Sequence, residues 1–288
     1  MNEMKIDLHT HTYFSDGRAS PVELVNYAAR IGVQVLAICD HDNARGVREA
    51  LPIANHVGMR LIPGVEFTTR WNACEMPPEE SDVDLLGYFI NPVSQAFLKI
   101  EEAALADFTF RMETWCAALT AAGTPLTLQD VYQQNPRYPG TLQLILAVAA
   151  KGYGQNFAGA EQIVRSQMNK VPLCSHTIEQ AIADIHICGG AAVLAHPGTR
   201  YLRWQGGLLS GKGLRQLVEL GLDGIEIYHH AVDQTAQGHF LTLAQHFHLA
   251  ITGGSDEHGW PSGFPFLGNK PVTFAMVEAL ARKAGVRI

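Results

Sequence analysis

The sequence predicts an α/β fold: a TIM-like β/α barrel with a helical insertion after its fourth strand. Three observations carry that expectation. Seven short apolar runs read as near-continuous strings, which marks strands buried on both faces, as in a parallel sheet. Helical patterns lie between several of them, and strand–helix–strand repetition means a sheet with helices outside. With 288 residues, the chain has room for one barrel of roughly 250 residues and an insertion.

The first strand is expected at Lys5–Leu8. A helix then opens at Ser20-Pro21-Val22-Glu23, with Ser as N-cap, Pro in the first turn and Glu at the third position. Val22, Leu24–Val25 and Ala28–Ala29 keep one apolar face. Strand two, Val35–Cys39, is followed by a helix over Ala44–His56. Strands three and four follow at Arg60–Phe67 and Val83–Phe89. From about Ser94 to Leu173 no buried strand is visible. Glu101–Ala122 is a long helical pattern carrying Phe108, Met112 and Trp115, and Leu142–Lys151 and Ala160–Met168 are two more. Pro136-Arg137-Tyr138-Pro139-Gly140 is a turn among them. The expected organisation is a barrel of residues 1–93 and 174–288 with a helical cap of residues 94–173. Helices at Ile178–Cys188, Gly213–Leu220 and Thr235–His246 alternate with strands at Ala191–Ala195, Gly224–Tyr228 and Leu249–Thr252.

Composition narrows the function. Hydrophobic residues make up 47%, enough for a large core, and charged residues 17%, which argues against bulk disorder. The net charge is -7 and no Lys/Arg run occurs, so an extended nucleic-acid surface is disfavoured. Phosphate can still bind where cations supply the positive charge. No apolar run approaches the roughly 18 residues of a membrane helix, and Met1–Lys5 carry no apolar signal region. Cys39, Cys74, Cys116, Cys174 and Cys188 lie far apart and are odd in number. Reduced cysteines in a cytoplasmic protein are expected.

The 13 histidines matter through their placement. Strand one ends in His9-Thr10-His11 with Asp16 close behind, strand two in Asp40-His41-Asp42, and strand three at Glu66. Strand four contains Asp84. Strand five ends in His196-Pro197, strand six in His229-His230, and strand seven runs into Asp256-Glu257-His258. A ligand-type side chain thus falls at or near the C-terminal end of every strand, where barrel enzymes build their sites. Residues i and i+2 on a strand point the same way, so His9 and His11 can grip one ion together, as can Asp256 and His258. Imidazole suits Zn, Mn and Fe, whereas carboxylates suit Mn, Mg and Fe and can bridge two ions. Glu66, a lone carboxylate on a central strand, is the natural bridge. One His-x-His pair alone is weak, and a lone acid at a strand end is commonly a helix cap. Seven strands ending this way is not a chance pattern. His56, His176, His186, His239, His246 and His248 read as surface or capping residues.

Asp7-Leu8-His9-Thr10-His11 followed by Ser15-Asp16-Gly17 resembles the opening motif of the PHP (polymerase and histidinol phosphatase) superfamily. Ala37-Ile38-Cys39-Asp40-His41-Asp42 resembles its second motif. Pro63-Gly64-Val65-Glu66, Leu194-Ala195-His196-Pro197 and Gly254-Ser255-Asp256-Glu257-His258 complete the set in order. The resemblance implies a distorted seven-stranded β/α barrel, in agreement with the strand count. It also implies a stand-alone phosphoesterase, some relatives being nucleotide phosphatases or 5′-end-directed exoribonucleases. Carried over residue by residue, it implies that His9, His11, Glu66 and Asp256 hold one ion. Glu66, Asp84 and His196 would hold a second, and Asp16, His41 and His258 a third, with Asp42 orienting His41. Two departures stand out. Asp84-Leu85-Leu86-Gly87 occupies the place of a His in the relatives, and a carboxylate there shifts the site towards Mn, Fe or Mg and away from Zn. Pro139-Gly140-Thr141 stands where nucleotide-processing relatives carry an Arg-x-His-like pair.

The expected activity is hydrolysis of a small phosphorylated metabolite or nucleotide, or of one terminal nucleotide diester. Two or three divalent cations serve as cofactors, Mn or Fe favoured over Zn or Mg. Such cations lower the pKa of a bound water and neutralise phosphoryl oxygens, so no Ser or Cys nucleophile is required. Arg111 and Arg200 are candidates to grip a substrate phosphate, and His229 stands near the site. The expected partner is a small phosphorylated substrate, a nucleotide or an RNA 5′ end among the options, with no membrane. One rival is an amidohydrolase-type C–N hydrolase, whose barrels also open with His-x-His. It typically needs a Lys or carboxylate bridge on strand four and an eighth strand with Asp. Strand four has no Lys, and only seven strands are clear. The other rival is a non-catalytic, metal-stabilised domain, which turnover of a generic phosphoester would separate.

Overall fold

The computed structural model describes residues 4–71, 82–172, 174–198, 208–259 and 263–288. Strands β1 (Lys5–Asp7), β2 (Val33–Ile38), β3 (Arg60–Arg70), β4 (Asp82–Tyr88), β5 (Ala191–Leu194), β6 (Gly224–Tyr228) and β7 (Ala250–Gly253) lie side by side in chain order. Pairing is parallel from β1 to β3 and again from β5 to β7. The expected all-parallel order fails at β4, which is antiparallel to both neighbours. The reason is local. A parallel neighbour needs a crossover of a dozen or more residues, usually a helix, and only residues 71–81 separate β3 from β4.

No ladder joins β1 to β7, so the continuous pairing is that of an open seven-stranded sheet. Single bonds nonetheless link the two edges. Leu8 N–H donates to Gly253 O (3.3 Å), Asp256 N–H to His9 O (2.9 Å) and His11 N–H to Glu257 O (3.0 Å).

The near-continuous apolar strings have the expected cause. Leu36 and Ile38 of β2 face one buried cluster, and Val35, Ala37 and Cys39 face another. Helices α1 (Pro21–Arg30), α2 (Arg45–His56), α7 (Ile178–Ile187), α8 (Gly211–Glu219) and α9 (Gln234–His246) cover the first face. Val277 and Leu280 of α10 (Phe274–Lys283), a helix the sequence reading did not include, pack into the second. The capping box at Ser20 and Glu23 is formed in full. Among the described residues no helix is long and apolar enough to cross a membrane.

Between β4 and α7 every regular element among the described residues is helical: α3 (Gln95–Ala121), α4 (Leu128–Tyr132), α5 (Thr141–Ala150), α6 (Phe157–Arg165) and a 3₁₀ turn at Met168–Lys170. The short α4 was not expected. These helices have their own apolar cluster, in which Met112, Trp115 and Leu119 of α3 meet Leu144 and Val148 of α5 and Val164 of α6. At its other end α3 inserts Phe97 into the main core. Because β4 runs backwards, this segment leaves the sheet at the end opposite the C-termini of the parallel strands. The 27 residues of α3 carry it back, since a helix rises about 1.5 Å per residue. Glu101 marks the return. Its carboxylate accepts Ala44 N–H (3.0 Å) at the start of α2 and both guanidinium nitrogens of Arg48 (3.0 and 2.7 Å).

Glu101 is 8% exposed, so removing it strands a partly buried guanidinium and a helix-start N–H. Glu101→Ala should cost roughly 2–3 kcal/mol, read as a Tm lower by several degrees. Arg45→Ala, on a residue 40% exposed and 3.7 Å from the same carboxylate, should change Tm little. Equal Tm shifts would show that Glu101 does not tie α3 to the sheet.

Candidate metal centre

At the C-terminal ends of the parallel strands the backbone brings acids and histidines to one place. His9 and His11, two apart beyond β1, project together, with their Nε2 atoms 3.1 Å apart. Glu66 Oε2, from β3, lies 3.2 Å from each. Asp256 Oδ1, beyond β7, lies 3.4 Å from His9 Nε2 and 3.1 Å from His11 Nε2. The other oxygen of Glu66 turns to a second group: Oε1 is 3.0 Å from His196 Nε2, and Asp84 Oδ2 is 4.0 Å from the same nitrogen. Asp84 sits near the start of β4, and the reversed direction of that strand is what places it at this end. A third group joins His258 Nε2 to Asp16 Oδ1 (3.1 Å) and His41 Nε2 to Asp16 Oδ2 (3.8 Å). In each group one ligand atom per residue falls within 4.8 Å of every other, with His11 common to the first and third.

Residues 7–169 match the family model of the PHP domain. The chain belongs to the PHP domain family. It is 31% identical over 280 residues to a 5′-3′ exoribonuclease of Haemophilus influenzae, a match spanning 92% of this chain and 93% of that one. It is 27% identical over 269 residues to a phosphoribosyl 1,2-cyclic phosphate 1,2-diphosphodiesterase of Eggerthella lenta, spanning 91% and 97%. A solved structure from Bifidobacterium adolescentis, assigned to the metal-dependent phosphoesterases, has a TM-score of 0.81 at 27% identity over 97% of this chain and 96% of that one.

Around the ligand groups this PHP domain places residues that sequence reasoning passed over. Glu226, fully buried in β6, accepts from His9 Nδ1 (3.1 Å) and from His196 N–H (2.9 Å). A signal existed: one acid in the apolar string Gly224-Ile225-Glu226-Ile227 has no business there without a partner. Asp40 accepts from Thr12 N–H (2.6 Å), Thr12 Oγ1 (2.7 Å) and Ser15 Oγ (2.8 Å). Ser15 Oγ in turn meets His11 Nδ1 (3.3 Å). Asp42 does something other than expected, because its carboxylate takes Thr68 N–H (3.1 Å) instead of His41. From the helical segment, Asn135 donates to Tyr13 O (2.8 Å) and Ser15 O (2.9 Å), bracing the loop that carries Asp16.

Of the substrate candidates, His229 is buried, with Nδ1 accepting Ala231 N–H (3.1 Å) and Nε2 3.2 Å from Asp256 Oδ2. Arg111 donates from Nε to Pro172 O (2.9 Å), and its charge reaches Asp42. Arg200 lies outside the described residues, as does Cys74.

The donor set fits a bound cation, and His9 shows why. Its Nδ1 faces a carboxylate and donates to it, so in the neutral ring Nε2 carries a lone pair. That lone pair points at Glu66 Oε2 and at another ring nitrogen. Acceptors face acceptors across about 3 Å, which only a proton or a cation reconciles. His41 Nδ1 is likewise buried without a hydrogen-bond partner. In the cation's absence protons take its part. Burial alone would lower the pKa of His41, His196 and His258, but the surrounding carboxylates overcome it. Glu66 and Asp16 push His41 to about 9, Glu66 pushes His196 to about 9, and Asp16 and Asp256 push His258 to about 10. Burial would raise Glu66 and Asp256, yet their histidine neighbours hold both well below the usual carboxylate range.

These raised histidines give the metal-free protein a pH signature. An unfolded imidazole titrates near 6.5, so above that pH the folded state holds more protons than the unfolded chain. Stability is then full below about pH 6.5 and lost as pH rises towards 9 and 10. With EDTA present, Tm should fall between pH 7 and pH 10, and less steeply in His258→Asn. A wild-type Tm that is level across that window would contradict the assignment.

Proposed function

We propose that this chain hydrolyses phosphoesters with two or three divalent cations held at the sheet end, and that its substrate is a small phosphorylated molecule or the terminal nucleotide of a chain. The observation that carries the reading is Glu66. It is 1% exposed, and its two oxygens serve two different ligand groups, while His11 links the first group to a third. Overlapping groups fit a multi-ion phosphoester centre better than one isolated site. The exoribonuclease and cyclic phosphate diesterase similarities support the same bond class.

His9, His11, Glu66 and Asp256 would hold one ion, Glu66, Asp84 and His196 a second, and Asp16, His41 and His258 a third. With carboxylates from Asp16, Glu66, Asp84 and Asp256, the set favours Mn or Fe over Zn. Bound there, cations supply an activated water and neutralise charge developing on phosphoryl oxygens. Glu226 fixes the His9 ring with Nε2 turned inward. Asp40, through Thr12 and Ser15, fixes the loop between His11 and Asp16. His229, its Nδ1 occupied, turns its buried Nε2 to Asp256 Oδ2 (3.2 Å) and so steadies that carboxylate beside the substrate. Arg111, whose charge reaches Asp42, is the cation offered to a substrate phosphate. Among the described residues no thiol competes as nucleophile: these cysteines are buried, and burial pushes Cys116 to about 11 and Cys174 to about 12.

The barrel and cap belong to the same reading. The bonds between the β1 and β7 edges support a distorted, incompletely paired barrel. Residues 94–173 act as a roof, supported by the reach of Asn135 to the Asp16 loop. The amidohydrolase alternative is weaker, because no eighth strand follows β7 among the described residues.

Two expectations follow from the shared carboxylate and the roof. Glu66→Ala should remove more activity than Asp84→Ala. Its loss should exceed the roughly 10–100-fold typical of partners outside the ligand sphere, and elemental analysis should show more Mn lost per chain. Equal residual rates and equal metal content would sink the bridging role. The roof should also exclude the middle of a polymer, so a circular single-stranded oligonucleotide should survive while its 5′-phosphorylated linear form is shortened. Linearisation that disappears in His9→Ala would show that the site is open.

A further inference from the structure

Beside the third ligand group lies a cleft of about 580 Å³ that no step above uses. We propose that it seats a neighbouring nucleotide unit, a base with its phosphate, next to the phosphoester at the metal centre; this deepens, and rests on, the phosphoesterase reading. Two of its lining residues adjoin the third group along the chain. Gly259 in its floor directly follows His258. Arg18 in its wall stands two residues after Asp16 and donates its backbone N–H to His258 O (2.9 Å).

Helix α1 builds the opposite wall. Glu23, Asn26, Tyr27 and Arg30 all line the cleft, and their spacing of i, i+3, i+4 and i+7 puts them on one stripe. Leu24, Val25 and Ala28 on the other face are buried in the core, so the polar stripe is held rigidly towards the space. Arg18 and Arg30 bring two permanent cations. The acid in the wall is already committed, since Glu23 accepts Ser20 N–H (2.8 Å) and Ser20 Oγ (2.7 Å). Guanidinium groups grip phosphate through paired N–H donors. This cationic pair borders a centre that is otherwise acidic, in a chain of net charge -7.

The aromatic component points to a base. Tyr27 and Phe264 meet at 4.9 Å between centroids, tilted by 46°, and Arg30 Cζ lies 4.9 Å from the Tyr27 centroid. Rings and guanidinium planes together are the usual stacking platform for nucleobases, worth roughly 1–3 kcal/mol per base. Gly259, with φ +69°, carries no side chain there, and a Cβ would crowd Phe264 Cε1 at 3.3 Å. The volume falls within the roughly 300–1,000 Å³ of small-molecule sites.

The test uses the full chain with Arg30→Ala and Arg18→Ala, both on exposed side chains. Hydrolysis of a 5′-phosphorylated dinucleotide and tetranucleotide is compared with that of p-nitrophenyl phosphate, which has neither base nor second phosphate. Binding of a nucleoside 5′-monophosphate is measured separately by calorimetry with EDTA present. The ratio of kcat/KM for the dinucleotide to that for p-nitrophenyl phosphate should fall roughly tenfold or more in each variant, and the nucleotide Kd should rise by a similar factor. A tetranucleotide preferred over the dinucleotide identifies a chain end as the source, and equal use identifies a free small molecule. Unchanged ratios and an unchanged Kd, with turnover intact, overturn the proposal. If wild-type protein hydrolyses none of the esters, the phosphoesterase reading fails, and the calorimetric Kd still decides the cleft.

Discussion

Glu66 cannot be buried as it is without something positive against both of its oxygens. A carboxylate at 1% exposure, facing two ring nitrogens on one side and a third on the other, is costly to desolvate unless it is paired. Much of the surrounding structure meets that condition. β3 brings the side chain in from the middle of the sheet, β1 and β5 deliver the imidazoles, and β6 supplies Glu226 to turn His9 the right way. The carboxylates of the centre push several of its histidines far above the ordinary imidazole range.

The reversal of β4 is the second organising fact. In a wholly parallel sheet Asp84, near the start of its strand, would sit at the far end. Reversed, it faces Glu66 and His196, and its neighbour in register is Thr68 of β3. The same reversal sends the chain out at the end away from the acids and histidines. The length of α3 corrects this, with Phe97 and Glu101 anchoring its near part to the sheet and to α2, and Met112 to Leu119 building the separate helical core.

This explains what could be read from the sequence and what could not. Burial on both faces leaves a direct trace in residue type, so the strands stood out as apolar strings. Histidines two apart leave one too, because strand geometry aims i and i+2 together. The direction of β4 leaves none in its own residues, since an antiparallel strand buried on both faces has the same composition as a parallel one; its trace lies in the short connection from β3. Short helices such as α4, with five residues, carry too few turns for a period. Glu226 was legible only as an anomaly. It is an acid at a position the apolar pattern assigns to the core, and its partner His9 is 217 residues away in sequence.

The strand ends also show where conformational strain is spent. Asp42, His196 and Asp256 all adopt positive φ (57°, 27° and 54°), a region that costs a non-glycine residue roughly 1–3 kcal/mol. Each is held there by its own backbone N–H: Asp42 to Glu66 O (2.9 Å), His196 to a Glu226 carboxylate oxygen (2.9 Å) and Asp256 to His9 O (2.9 Å). In all three cases the acceptor is a residue of the centre or the acid that orients it. At these three strand ends the turn is therefore held by a backbone or carboxylate acceptor from another strand end, so the fold that presents each side chain also fixes the backbone beneath it.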